Sequence, residues 1–288
     1  MFAALAWGLF WIPMRYLHDA GFEGGWATST YFGVSLIALL PIAVARWWRL
    51  RAGGVNLLLI GVLSGAAIAL YTLSFLYTTV VNALLIFYLT PVWSTLTGKF
   101  MLGERITAAR IFALALGLAG LWVILGSHDM VPLPNNPGDW MALSAGVIWA
   151  FAAVYLRRSE AQAIELLNVF ILGGFLVSLM VLALRPEFSH PPSFSFLSPY
   201  AIIALVAIAI ASLPLNLIIL WAAGLLSPGR VGLLMLLEVV CGIGVASLIT
   251  DEPYGFLEAV GTVLILGAGI VDIVRPVTTI HHETENNQ

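Results

Sequence analysis

Charge is scarce in this chain of 288 residues. Only 9% of residues are charged, against about 25% in soluble domains, while 61% are hydrophobic and mean hydropathy is +1.00. A soluble protein this apolar would expose large greasy patches, so the composition points to an integral membrane protein. Cysteine is nearly absent. Cys241 stands alone in an apolar run, which excludes an internal disulfide, and no metal-ligand partner lies at motif spacing. Lysine occurs once, at Lys99, and with a formal net charge of −3 no basic surface suggests nucleic acid. No GxxxxGK[ST] loop is present to bind ATP, and neither HExxH nor GxSxG appears. A voltage-sensor run of arginines and a TVGYG filter are also missing. These absences argue against an enzyme, a pump that burns ATP and a potassium channel. They leave no cofactor to expect. Met1 runs into FAALAWGLFWIPM with no basic stretch and no A-x-A site, so no cleavable signal peptide is visible.

What is present is apolar sequence in long runs. Ten can be marked, at about 1–17, 26–47, 55–77, 80–101, 106–126, 138–156, 163–184, 199–222, 229–250 and 254–274. Most suffice to cross about 30 Å of hydrocarbon as helix. They lack the alternating pattern of an outer-membrane barrel. The first run is short, so either its helix continues through Tyr16 and Leu17 and thins the bilayer, or the native chain begins earlier. With ten spans, Arg46, Arg49, Arg51, Lys99, Arg105, Arg110, Arg157, Arg158, Arg230 and Arg275 fall on the side of both termini, and only Arg15 and Arg185 fall opposite. The bias places both termini in the cytoplasm.

Five spans precede the Pro/Asn-rich linker and five follow it. An odd number per half gives the halves opposite orientation, as in inverted-repeat transporters. The expected organisation is a first five-helix repeat at 1–126, a linker at 127–137, a second repeat at 138–275 and a polar cytoplasmic tail at 276–288. Echoes between halves support it: Trp7-Gly8 with Trp149-Ala150, and Leu89-Thr90-Pro91 followed by Gly103-Glu104-Arg105 with Leu237-Glu238-Val239 followed by Asp251-Glu252-Pro253. On these motifs the chain resembles the ten-helix exporters of the drug/metabolite transporter superfamily, built from two EamA-like repeats, and among them most the exporters of aromatic amino acids. Val239 stands where that family usually has proline, which removes the proline argument for a helix break in the ninth span. The resemblance implies an all-α integral membrane protein of ten transmembrane helices, a secondary transporter of the cell inner membrane. Its expected substrates are small amphipathic metabolites, foremost aromatic amino acids, passed by alternating access through a cavity of spans 1, 3, 4, 6, 8 and 9. A broad drug or organic-cation exporter and a non-transporting membrane scaffold are the alternatives. Expected partners are a small-molecule substrate, the lipid bilayer and protons.

Glu238 is the only carboxylate deep in a long apolar run. A charge at bilayer depth costs about 2.5–3.5 kcal/mol or more, which marks it as a candidate for proton coupling or for binding a substrate amine. A packing role, hydrogen-bonded to a neighbouring helix, is the other reading. Lys99 either snorkels to the interface or pairs with an acid in the vestibule. Ten tryptophans are present. Those near span ends fit an interfacial belt, whereas Trp7, Trp11, Trp93 and Trp149 sit deeper and Trp221 fits either group. Trp7 with Trp11, and Tyr71 with Phe75, have the i, i+4 spacing of one helix face, and Tyr88 joins from the fourth span. Together with Asn216 they would make an aromatic cavity with few polar tips, suited to planar rings. Pro91 and Pro214 each free a carbonyl within a span, as a gate or as a packing kink. Gly61 with Gly65, and Ala113 with Gly117, read as small-residue packing faces, and the fifth and tenth helices as scaffold.

Overall fold

In a computed structural model the described residues are 6–22, 25–78, 80–125, 134–184, 198–249 and 255–274. Twelve helices lie among them: α1 (Trp11–Asp19), α2 (Gly25–Ala45), α3 (Trp47–Tyr77), α4 (Val80–Phe87), α5 (Thr90–Leu102), α6 (Ala108–Leu125), α7 (Pro137–Arg158), α8 (Ala163–Ala183), α9 (Pro199–Leu225), α10 (Pro228–Met235), α11 (Leu237–Ile249) and α12 (Phe256–Val274). They make ten spans, because α4 with α5 form a broken fourth span and α10 with α11 a broken ninth. Five helices, α2, α3, α7, α8 and α9, are each long and apolar enough to cross a membrane alone. The tail, with His281 and His282, lies outside the described residues, as does most of the linker.

Local chemistry explains the boundaries. Gly54, with φ +55° and ψ −149°, interrupts α3, so a short helix from Trp47 precedes the third span. Gly103, with φ +70°, ends α5 and donates its N–H back to the last turn. Asn136 caps α7 by accepting from the Asp139 N–H. In the fourth span Pro91 has no N–H for the carbonyl of Phe87, and Thr90 Oγ1 donates to that carbonyl instead. The ninth span also breaks, at Leu236, although no proline is there. Leu236 N–H donates to Leu233 O and Val239 N–H to Leu236 O, both at 3.2 Å. These i to i+3 bonds tighten the chain into a 3₁₀ turn, which corrects the expectation drawn from Val239. Pro214, by contrast, sits inside a continuous α9.

Packing respects the repeat. α3 packs on α8 and on α7, and α9 packs on α2 and on α1. Exchanging the halves turns the first pair of contacts into the second. α2 with α8 and α6 with α12 are contacts that map onto themselves, and α5 also packs on α10. Glycines let the backbones meet. A Cβ on Gly65 would fall 2.2 Å from Phe170 O, and one on Gly120 would fall 2.7 Å from Gly261 O. The first of these is the Gly61–Gly65 face of the third span, set against α8. The second joins the fifth and tenth spans at Gly120 and Gly261, while Gly117 faces Leu236 and Ala268.

Candidate functional site

Glu238 lies in the first turn of α11, directly after the break at Leu236, where the positive end of the helix dipole favours a carboxylate. It is buried. The Tyr71 hydroxyl, from the C-terminal part of α3, donates to Glu238 Oε1 at 3.1 Å. Glu238 Oε2 and the buried Tyr88 hydroxyl make no hydrogen bond among the described residues, although Tyr88 faces the same carboxylate. Aromatic rings surround the pair. Phe87 stacks on Tyr71 with centroids 3.9 Å apart and planes 23° apart, Phe75 meets Tyr71 edge-on at 4.8 Å, and Tyr88 meets Phe87 edge-on at 5.3 Å. The backbone break at Tyr88–Leu89 is what turns Phe87 and Tyr88 into this cluster. The break at Leu236 does the same for Glu238.

Gly8 packs against the Glu238 backbone carbonyl, where a Cβ would fall 2.3 Å from the oxygen. Trp7, beside it, is buried and stacks on Phe10 with centroids 4.5 Å apart. A turn over residues 8–10 separates Trp7 from α1. Trp7 and Trp11 therefore do not share one continuous helix face, and the side chain of Trp11 lies outside the described residues. Trp7 and Trp149 are equivalents in the repeat and line the same internal void, together with Ile68, Phe170, Asn216 and Met235. The void is about 10 Å³, the space of one water. Its walls come from spans 1, 3, 6, 7, 8 and 9, so Phe170 of the seventh span joins the set and the fourth span contributes to the Glu238 cluster instead.

Not every expected residue joins. Trp221 is 58% exposed on the outside of α9. Lys99 is exposed, with Nζ 5.7 Å from the Phe100 ring centroid. Trp93 is half-buried, and its indole N–H has no hydrogen-bond partner among the described residues. Pro91 is buried at the start of α5, under Gly232 of α10. One cluster was not anticipated: Tyr31 of α2 donates to Ser212 Oγ at 2.8 Å and accepts from Asn216 Nδ2 at 3.3 Å. The sequence signal for it was a tyrosine inside an apolar span, among many aromatics of equal weight.

A second polar region lies at the end rich in arginine. Arg110 Nε is 3.1 Å from Asp272 Oδ1, and Arg230 Nε is 3.1 Å from Asp272 Oδ2. Glu104 lies nearby in the loop after α5. Burial holds its carboxyl above the ordinary carboxylate range, partly offset by Arg110 and Arg157.

Compared with known proteins, residues 1–126 and 136–272 match the profile of the EamA-like transporter family. No curated protein matches the sequence. A solved structure described only as "Crystal structure of protein" is similar in fold, with a TM-score of 0.67 at 20% identity over 94% of this chain and 95% of that one.

Proposed function

The chain belongs to the EamA-like transporter family, and from that premise we propose that it exports small amphipathic metabolites, foremost aromatic amino acids and related aromatic compounds. The family is one of membrane transporters of the drug/metabolite type, so a small-molecule substrate and a lipid bilayer are its partners. The observation that carries the finer reading is the aromatic enclosure of one buried carboxylate. Tyr71 and Tyr88 face Glu238, Phe75 and Phe87 pack on Tyr71, and Trp7 and Trp149 line the void. Offset and edge-on contacts of this kind contribute about 0.5–1.5 kcal/mol per ring pair. A water-sized void corresponds to a closed state, and alternating access opens it by moving the broken spans 4 and 9 against their neighbours. Glu238 couples flux to protons or receives the substrate amine. The cell inner membrane, cytoplasmic termini and a division between repeats at 127–137 complete the proposal, supported by the arginine bias.

A second reading has its own observation. Glu238 Oε2 makes no hydrogen bond among the described residues and lies beside the Tyr71 and Tyr88 rings, an arrangement that suits an organic cation through charge pairing and cation–π contact. One experiment separates the two. Uptake of labelled tryptophan, phenylalanine and threonine, and of a flat quaternary cation, is measured in liposomes with and without a proton gradient. Saturable flux of the two aromatic amino acids over threonine is the expected result. Flux of the cation alone favours the second reading, and no flux from folded protein sinks both.

A further inference from the structure

Asn216 ends a one-way chain of hydrogen bonds. The carbonyl of Ala209 can only accept, and Ser212 Oγ donates to it at 2.8 Å. A hydroxyl has one proton to give, so Ser212 accepts from the Tyr31 hydroxyl at 2.8 Å. With its own proton committed, Tyr31 accepts from Asn216 Nδ2 at 3.3 Å. The direction is set from the carbonyl end, and it fixes which way the amide faces. The nitrogen of Asn216 is turned to Tyr31. The oxygen, Oδ1, is therefore turned away from Tyr31. Tyr31, Ser212 and Asn216 are all buried, and Asn216 lines the void beside Trp7 and Trp149.

An apolar, aromatic wall holding one oriented acceptor selects a flat ring that carries its own donor. We infer that the Asn216 carbonyl is a ring-donor subsite, which recognises the indole N–H or phenol O–H of an aromatic ligand, with Tyr31 as the residue that positions it. This rests on the proposed reading of the void as part of the transport path, and it deepens that reading by ranking aromatic compounds with a ring donor above those without one, tryptophan above phenylalanine. A site built around a buried acceptor discriminates strongly against an isostere lacking the donor, because the acceptor is then desolvated without a partner.

The test uses indole and benzothiophene, the isostere with sulfur in place of N–H, binding to the purified full-length protein at equal free concentration after correction for partition into detergent. Indole is expected to bind about tenfold tighter or more. Tyr31→Phe frees the amide to flip, and Ser212→Ala frees the Tyr31 proton to turn toward Asn216. Both variants are expected to bring the ratio toward one while retaining helicity and melting temperature. Equal binding to the wild type, no binding of either ring, or an undiminished ratio in both variants overturns the inference, the last leaving the cluster as a tie between spans 2 and 8. Discrimination without tryptophan flux would keep the subsite and remove the amino acid exporter. Tryptophan flux without discrimination would do the reverse.

Discussion

Glu238 concentrates the chemistry of this chain at one residue. Its backbone supports Gly8, its Oε1 accepts from Tyr71, and its Oε2 makes no hydrogen bond among the described residues. Glu238→Gln keeps the shape and an acceptor for Tyr71 but cannot change charge. If the carboxylate couples protons to flux, the variant's tryptophan flux in proteoliposomes loses its response to a pH gradient, and an unchanged response removes the coupling role. Position 238 was legible in the sequence because a lone acid in an apolar run has few bland explanations. Its partners were legible only in part. Tyr71 and Tyr88 stood among many aromatics, and Tyr31 was indistinguishable from a packing residue until Ser212 and Asn216 were seen against it.

At the scale of the element, the two broken spans matter most, and they break by different chemistry. The fourth has a proline and repairs the freed carbonyl with a threonine. The ninth has no proline and relies on a 3₁₀ turn. Thr90→Val keeps the shape but removes the donor to Phe87 O, a buried carbonyl, at an expected cost of about 1–3 kcal/mol. The double variant Thr90→Val, Pro91→Ala restores an N–H four residues after Phe87 and should recover part of that loss. Denaturant melts of the two variants in detergent measure it. A double variant no more stable than the single one contradicts this account of the break. Proline at 91 made the first break readable. The second was not readable, because a 3₁₀ turn among Leu233, Leu236 and Val239 leaves no compositional mark.

Across the whole molecule, the arginine-rich end is laced by ties between spans. Arg46 bonds Glu165 at 2.5 Å, Arg157 bonds the Gly224 carbonyl at 3.1 Å, and Arg158 bonds the Met101 carbonyl. Arg110 and Arg230 share Asp272, which holds together the fifth, ninth and tenth spans. At the opposite end the buried Asp139 is satisfied by neutral donors instead, among them Thr78 Oγ1 at 2.6 Å and Asn136 Nδ2 at 2.9 Å. Arg110 and Asp272 are each only 4% exposed. Asp272→Ala would leave a buried guanidinium uncompensated and should destabilise the protein by about 3–5 kcal/mol, whereas Arg110→Met combined with Asp272→Leu should recover most of it. Thermal stability in detergent compares the two. Equal losses in both would show that the pair is not what holds these spans.

The sequence by itself determined the ten spans, their orientation bias, the repeat and the singular acid. Lipid imposes apolar runs of fixed minimum length and penalises charge, and both leave marks that can be read along the chain. Only the tertiary structure decided which faces turn inward. A helix in lipid is apolar toward its neighbours and toward the bilayer alike, so no amphipathic pattern separates Trp149, which lines the void, from Trp221, which faces outward. The same symmetry of environment hid the Tyr31–Ser212–Asn216 chain and the clamp on Asp272, since their members meet only when distant spans pack.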